Sequence, residues 1–492
     1  MKLATLLREV ETEVVNGSAE LDIQSLAYDS RKVEPGALFI ALPGEKADGA
    51  QFIPQAVKAG AIAVVAEKDV PLPGVTVIVV KNARKAMGDL SAAKFEHPTR
   101  HMKIAGVTGT NGKTTTSYLI KYICEQALRL CGLIGTVSYE IGTRSIPAWR
   151  TTPEAPDLQD LLWQMRSAGC RAAVMEVASH ALVQERVRGV EFDVAVFTNL
   201  TQDHLDYHKT MEAYFEAKTL LFTNVASQKK KKGQAVINVD DRYGSLLIQQ
   251  CKDRLPIVTY GMGQRADFRA SNVRTDFQGT SFQLDANGRS WLVRLPLIGN
   301  FNVYNALAAI AAASAMGIEV RVAVLALATA PAVPGRLEAV PAQRNFRIFV
   351  DYAHTDDALI NAMKTLRELK PARLLVVFGC GGNRDRGKRP RMGAAVDEHA
   401  DYAIVTSDNP RKEDPLAIIE DIKPGMPRGN YEVIEDRRAA IQRAIDLAQA
   451  RDIVLIAGKG HENYQEFADR TIDFDDVAVA QQALQNKPVD LR

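Results

Sequence analysis

Short, uninterrupted apolar runs recur along the chain, each closed by glycine or polar residues, with helically spaced stretches between them. LFIAL (38 to 42), AIAVVA (61 to 66) and VTVIVV (75 to 80) predict buried strands, because a strand covered on both faces loses its polar alternation. Pro35-Gly36 and Pro43-Gly44 mark turns between them. A new series begins near His101. KIAGVTG (103 to 109) reads as a strand, TTTSYLIKYICEQAL (114 to 128) as a helix, and AAVMEVAS (172 to 179) and VAVFTNL (194 to 200) as further strands. This alternation predicts a parallel sheet. From about 265 to 297 the pattern switches to strict alternation, as in TSFQLDA and RSWLVRLPL, which predicts a β-meander. A last series, FRIFVDY (346 to 352), RLLVVFGC (373 to 380), YAIVTSDN (402 to 409) and DIVLIAGKG (452 to 460), predicts another α/β unit.

The expected fold class is therefore α/β in three domains. These are a small α/β domain over 1–97, a central parallel-sheet domain over 98–332 and a Rossmann-like domain over 333–492. Ligands of open α/β sheets bind beyond the carboxyl ends of strands, and the polar residues of chemical interest sit there in all three.

Composition narrows the function classes. The 61 basic and 59 acidic residues leave a net charge of +2, which gives no reason to expect nucleic acid or an anionic membrane as partner. Lys229 to Lys232 is the single charge block and reads as a solvated loop. Five scattered cysteines without CxxC spacing argue against a disulfide framework or a zinc site and for free buried thiols in a reducing cytosol. Arg8, Glu9, Glu11 and Glu13 interrupt any secretory signal. The Ala-rich stretch from Ala306 to Ala332, broken by Glu319 and Arg321, predicts a buried soluble helix pair rather than a membrane span. The expectation is a cytoplasmic monomer without membrane insertion.

The strongest motif is Gly106-Val-Thr-Gly109-Thr110-Asn111-Gly112-Lys113-Thr114-Thr115, between a strand and a helix. That is the context of a phosphate-binding loop. Glycines admit phosphate close to backbone N–H groups, and the helix N-terminus favours the anion. Lys113 can reach terminal phosphates and the Thr114 hydroxyl can ligate Mg2+. Glu176 and His204 stand at the ends of neighbouring strands, and a carboxylate and an imidazole there could meet near that metal.

GTNGKTT resembles the loop of Mur ligases and their folylpolyglutamate synthetase relatives. The resemblance runs over essentially the whole chain. It is carried by YDSR (28 to 31), TTP (151 to 153), MEV.SH (175 to 180), FTNLTQDHLDYH (197 to 208), EAK (216 to 218), GNFNVYN (299 to 305), DYAHT (351 to 355), FGCGGNRDRGKRP (378 to 390), SDNPR (407 to 411) and AGKGHE (457 to 462). Within the Mur ligase family these segments are most similar to diaminopimelate-adding members. The resemblance implies ATP-dependent joining of an amino acid to a carboxylate through an acyl phosphate. It implies Mg2+ at two sites held by Thr114, Glu176, His204 and Lys218, with Lys218 carrying a CO2-derived carbamate, and catalytic roles for Lys113, His204 and Lys218. It places Asn302 and Asn305 near adenine, and Arg336, Asp351 and His354 near the nucleotide.

The acceptor implied is UDP-MurNAc-L-Ala-D-Glu. Ser30 would contact its uridine diphosphate, with Tyr28 and Glu45-Lys46-Ala47 beside it. Thr151, Thr152, Ser179, Gln184 and Arg186 would hold sugar and peptide. The amino acid implied is meso-diaminopimelate, read by Arg384, Asp408, Asn409, Pro410, Arg411, Gly458 and Glu462. Arg binds carboxylate bidentately, and leaving Arg411 buried without its partner should penalise lysine. The chain departs from the family pattern at Arg150, at Ala178 where a serine is common, and at Asp356 where proline is usual. A lysine-adding ligase of the same family is the nearest alternative. A P-loop ATPase switch is a remoter one, and the DNPR segment gives it no role.

Overall fold

The computed structural model describes residues 1–44, 48–229, 231–342 and 344–487. The chain falls into two compact units. One comprises Met1–Lys113, Ile120–Thr259 and Ala308–Val320, the other Thr114–Leu119, Tyr260–Leu307 and Arg321–Arg492.

In the first unit, Val14–Asn16, Thr76–Val79, Ala61–Ala66, Ala37–Ile40 and Leu26–Ala27 lie side by side in that order. Only the Val14–Asn16 pairing is antiparallel. The apolar runs are buried because both faces are covered: Leu38, Ile40, Ala63 and Val65 pack with Leu3, Leu6 and Leu90, while Phe39 and Val64 pack with Ile53 and Ala56.

A second sheet places Gln234–Asn238, Val194–Phe197, Lys103–Thr108, Ala172–Glu176 and Cys131–Ile134 in parallel. Two antiparallel strands, Ser138–Ile141 and Arg144–Pro147, extend it. Lys103–Thr108 is flanked by strands that come later in the chain on both sides, so its carboxyl end lies between those of Ala172–Glu176 and Val194–Phe197. Ligands gather at such a point in open α/β sheets.

In the second unit, Phe268–Asp276, Gly279–Ala286 and Arg289–Leu295 form the antiparallel meander. The strands Arg347–Asp351, Ile453–Ala457, Leu374–Phe378, Tyr402–Val405 and Tyr431–Val433 run parallel. A hairpin of Tyr464–Glu466 and Thr471–Asp473 follows, then the helix Asp476–Asn486. Arg437 and Asp476 form an ion pair with both side chains 0% exposed, and Arg437 Nη2 also donates to the Ala457 carbonyl at 3.0 Å.

The Ala-rich segment forms the helices Asn300–Ala315 and Val320–Leu327, with Ala306 through Ala313 wholly buried. Among the described residues no helix is long and apolar enough to cross a membrane. All five cysteines are free and buried. One expectation needs correction. Lys231, read as part of a solvated block, is mostly buried and donates to Met102 O and the Asp193 carboxylate, both at 2.6 Å. Lys230 lies outside the described residues.

Candidate active site

The phosphate loop leaves its strand at Gly109, whose φ of +147° lies in the region glycine favours, and a Cβ there would fall 1.8 Å from Thr198 Oγ1. The neighbouring strand end stitches the loop down. Thr198 donates to Asn111 O at 2.7 Å, and the amides of Thr110 and Asn111 donate to Asn199 O and Oδ1 at 2.9 and 3.0 Å. Those two amides therefore face the protein. Lys113 opens the helix Lys113–Gln126, and its Nζ donates to Gly109 O at 3.0 Å and Thr110 O at 2.8 Å.

Lys218, on the helix Met211–Ser227, reaches the same spot, donating to Gly109 O at 2.8 Å. It is 2% exposed and lies 4.5 Å from the Tyr214 ring centroid. Burial, reinforced by the nearby Lys113 charge, holds its pKa well below the usual lysine value, so the neutral amine is accessible. His204 faces Asp203 at 3.3 Å and His180 edge-on at 4.9 Å between ring centroids. Burial pushes its pKa down to about 4 against the pull of Asp203, so it is neutral near pH 7 and can offer a lone pair.

Glu176 accepts from the Thr136 amide at 2.8 Å and its hydroxyl at 3.1 Å. Among the described residues no group of three or more His, Cys, Asp or Glu is gathered as a metal cluster. The donors on offer are a carboxylate, a hydroxyl and a neutral imidazole. That set fits Mg2+, which keeps waters and takes phosphate oxygens to complete its shell.

Around Glu176 the acceptor-side candidates form one network. Thr151 Oγ1 lies 3.1 Å from Thr136 Oγ1, and Thr152 donates to Glu176 O at 2.8 Å. Arg186 donates to Thr152 O at 3.1 Å, pairs with Glu154 at 3.0 Å and bonds Gln184 at 2.5 Å. Ser179 Oγ lies 2.9 Å from His208 Nε2. Ala178 costs the network a hydroxyl, yet its amide still donates to Thr152 at 3.1 Å. Arg150 pairs with Glu154 at 2.8 Å. Tyr28 and Ser30 have other partners, Asp157 at 2.5 Å and Gln55 at 3.0 Å. Glu45, Lys46 and Ala47 lie outside the described residues.

In the second unit, Arg336 donates to Thr114 Oγ1 at 3.1 Å and lies over the Tyr352 ring. Asp351 accepts from the amides of Leu337 and Ala353 at 2.7 and 2.8 Å, and burial raises its pKa. Asn302 and Asn305 are both buried and bonded to each other at 3.0 Å, and Thr116 donates to Asn305 at 3.4 Å. His354 Nδ1 lies 2.8 Å from Tyr352 O. Asp356 is the first residue of the helix Asp356–Glu368, behind the Thr355 cap. Proline and an acidic residue both suit that position, so the departure carries little structural penalty.

At the far strand ends, Asn409 Nδ2 donates to Glu462 at 2.7 Å, and the Asn409 amide to Asp408 at 2.7 Å. Asp408 Oδ2 stands 2.5 Å from where a Cβ on Gly458 would be. A Cβ on Gly381 would stand 3.1 Å from Arg411 Nη1 and 3.9 Å from Arg384 Cγ. Pro410 packs its carbonyl against Gly382. Arg411 has partners within the chain: Nε donates to Glu466 Oε2 at 3.0 Å and Nη1 to Gly382 O at 2.9 Å. Glu466 arrives from the hairpin, a long-range pairing that local spacing does not reveal.

Sequence reasoning also passed over Lys459. It is 0% exposed and donates to Asn409 Oδ1 at 3.0 Å and Glu462 at 3.2 Å. A lysine between two glycines at a strand end was the available signal. Tyr214 and Glu154 gave none, and His208 only its place at the end of FTNLTQDHLDYH.

Residues 22–95 match the family model described as the Mur ligase family catalytic domain, 107–313 the Mur ligase middle domain, and 335–460 the glutamate ligase domain of Mur ligases. A UDP-N-acetylmuramoyl-L-alanyl-D-glutamate–2,6-diaminopimelate ligase of Listeria innocua is 44% identical, with 99% of both chains covered. The protein of that name from Geobacillus thermodenitrificans is 46% identical over 99% of this chain and 100% of its own. A solved structure under the same name superposes with a TM-score of 0.73 at 37% identity, covering 99% of both chains. With a phosphate loop at the central strand end and relatives that match from end to end, the chain belongs to the Mur ligase family.

Proposed function

We propose that this chain is an ATP-dependent amide ligase that adds meso-2,6-diaminopimelate to UDP-MurNAc-L-Ala-D-Glu in peptidoglycan precursor synthesis. The two substrates follow from the name shared by full-length relatives. One observation carries the chemistry: the amines of Lys113 and Lys218 converge on the Gly109 carbonyl at the mouth of the phosphate loop.

A carboxylate is a poor electrophile. Transfer of the terminal phosphoryl group of ATP to the acceptor carboxylate gives an acyl phosphate. The incoming amine then attacks the carbonyl carbon and phosphate leaves, closing the amide. Phosphoryl transfer asks the protein mainly for positioning and charge neutralisation. Lys113 exchanges its carbonyl partners for the transferring phosphate. Thr114, Glu176 and His204 would hold Mg2+, which neutralises phosphate charge when bound. Lys218, as a neutral amine, adds CO2 to form a carbamate and release a proton, which places an anion where a second Mg2+ needs one. Gly109, Thr110, Asn111, Gly112 and Thr115 shape the phosphate cradle, and Asn302, Asn305, Arg336 and Asp351 hold the rest of the nucleotide. Tyr28, Ser30, Thr151, Thr152, Ser179, Gln184 and Arg186 bind the UDP substrate. Arg384, Asp408, Asn409, Pro410, Arg411, Gly458 and Glu462 bind the amino acid.

The test is phosphate release with ATP, Mg2+ and UDP-MurNAc-L-Ala-D-Glu, with meso-diaminopimelate or L-lysine added in parallel. Release and a tripeptide product with diaminopimelate alone are expected. Equal turnover with lysine would transfer the chain to the lysine-adding reading, and no amino-acid-dependent release would overturn the ligase reading.

A further inference from the structure

A cavity of about 440 Å³ opens between the helix Met211–Ser227 and the end of the helix Arg242–Cys251, and no residue of the phosphate loop lines it. One wall is Thr219, Phe222, Thr223 and Ala226, which the helical repeat brings onto one face. The other is Gln250 and Cys251, with Arg254 from the turn that follows. The volume falls in the range of small-molecule sites, about 300–1,000 Å³.

The lining is sorted by depth. Phe222 is 0% and Cys251 6% exposed, so apolar atoms form the bottom. Thr223, Gln250 and Arg254 are exposed at the rim. The Thr219 hydroxyl is already committed, donating to Phe215 O at 3.1 Å. By contrast, among the described residues the side chains of Thr223, Gln250 and Arg254 have no hydrogen-bond or ion-pair partner. Arg254 is held through its backbone, whose amide donates to Cys251 O at 2.9 Å. Its charge is felt at the bottom: burial pushes the Cys251 thiol pKa up, and Arg254 works against that push. Among the described residues no acidic side chain lines the cavity, so the guanidinium has no counter-charge there.

An apolar bottom favours an apolar body, and a rim with one uncompensated cation favours an anion over a cation. The Gln250 amide and the Thr223 hydroxyl add donors for a second oxygen. We propose that this cavity is a binding site for a small organic acid with an apolar body, its carboxylate held by Arg254 and its ring or chain set on Phe222 and Cys251. The site is separate from the phosphate loop and stands independently of the proposed function. Its wall begins one residue after Lys218 on the same helix, so an occupant bears on the segment that carries that lysine.

The probe is 4-phenylbutyrate, with 4-phenylbutyramide as a neutral partner of equal size, each titrated into the full-length protein and followed by NMR. The acid should bind with a Kd on the order of 1 mM, which a ligand of about a dozen heavy atoms reaches at ordinary efficiency. The amide should bind about fivefold more weakly, the upper end for an exposed ion pair. Arg254→Gln should remove that difference and leave the amide Kd within about twofold. Ala226→Trp, which fills the cavity, should weaken both probes by roughly tenfold or more. ADP, Mg2+ and UDP-MurNAc-L-Ala-D-Glu together should not displace the acid. Equal affinity for acid and amide in the unaltered protein would overturn the inference, as would an acid preference that survives Arg254→Gln. Displacement by the reaction's own ligands would place the probe elsewhere and overturn it too. Unchanged binding to a folded Ala226→Trp, or no saturable binding up to about tenfold the expected Kd, has the same consequence. If its melting curve shows Ala226→Trp unfolded, Thr223→Trp, at an exposed position, takes its place with the same expected loss.

Discussion

Lys113 and Lys218 share one acceptor, the carbonyl oxygen of Gly109, at 3.0 and 2.8 Å. Two ammonium groups on one carbonyl repel each other, and burial together with the nearby Lys113 charge holds the Lys218 pKa well below the usual lysine value. Its neutral amine should therefore trap CO2. NMR with 13C-bicarbonate should show a carbamate carbon that disappears in Lys218→Met. The same substitution should cut kcat by at least about a hundredfold, the order seen when a preorganised charged group is removed, with a smaller change in the KM for ATP. A variant with unchanged kcat would remove Lys218 from the chemistry.

The Tyr28 hydroxyl donates to Asp157 at 2.5 Å, joining the N-terminal sheet to the helix Ala155–Ser167. Tyr28→Phe removes the donor and leaves the carboxylate short of a partner. Denaturant unfolding should register a loss of about 1–3 kcal/mol. An increase in the KM for the UDP substrate without any loss of stability would show that Tyr28 contacts ligand and not merely Asp157.

Gly458 has φ +115°, and an added Cβ would stand 2.5 Å from Asp408 Oδ2. Gly458→Ala should displace Asp408 and strain the turn by about 1–3 kcal/mol. The expected result is a raised KM for the amino acid with the KM for ATP nearly unchanged. Equal changes in both would mean that the distortion spreads beyond the amino-acid end.

His208 is buried, stacked on Tyr214 and bonded to Ser179. Burial above all pushes its pKa down to about 4. An unfolded histidine takes its proton near pH 6.5. Between these values the unfolded state binds more protons, so stability falls as pH drops from about 6.5 toward 4. His208→Asn should flatten that slope in melting temperature against pH. An unchanged slope would assign the acid sensitivity elsewhere.

Much of this architecture was legible because parallel strands are buried on both faces and print continuous apolar runs. AIAVVA and VAVF became strands where expected. The phosphate loop was legible for the same reason, since glycine, lysine and threonine fall within a few residues of a strand end. What could not be read were pairings across long stretches of chain. Tyr28 with Asp157, Arg411 with Glu466, and Lys231 with Asp193 have no local signature. Lys231 illustrates the point: in sequence it is one of four like charges, and in space it has two acceptors at 2.6 Å.

Arg437 and Asp476 form a sealed pair directly beneath the Ala457 carbonyl, one residue before Gly458. The countercharge comes from the first residue of the last described helix, Asp476–Asn486. That helix therefore acts as a foundation for the strand end that the proposed function assigns to amino-acid binding. Trimming the chain ahead of Asp476 would strand a buried guanidinium, a loss of about 3–5 kcal/mol, and would loosen the floor under Gly458, so damage at the chain's end would surface first as poor amino-acid selection.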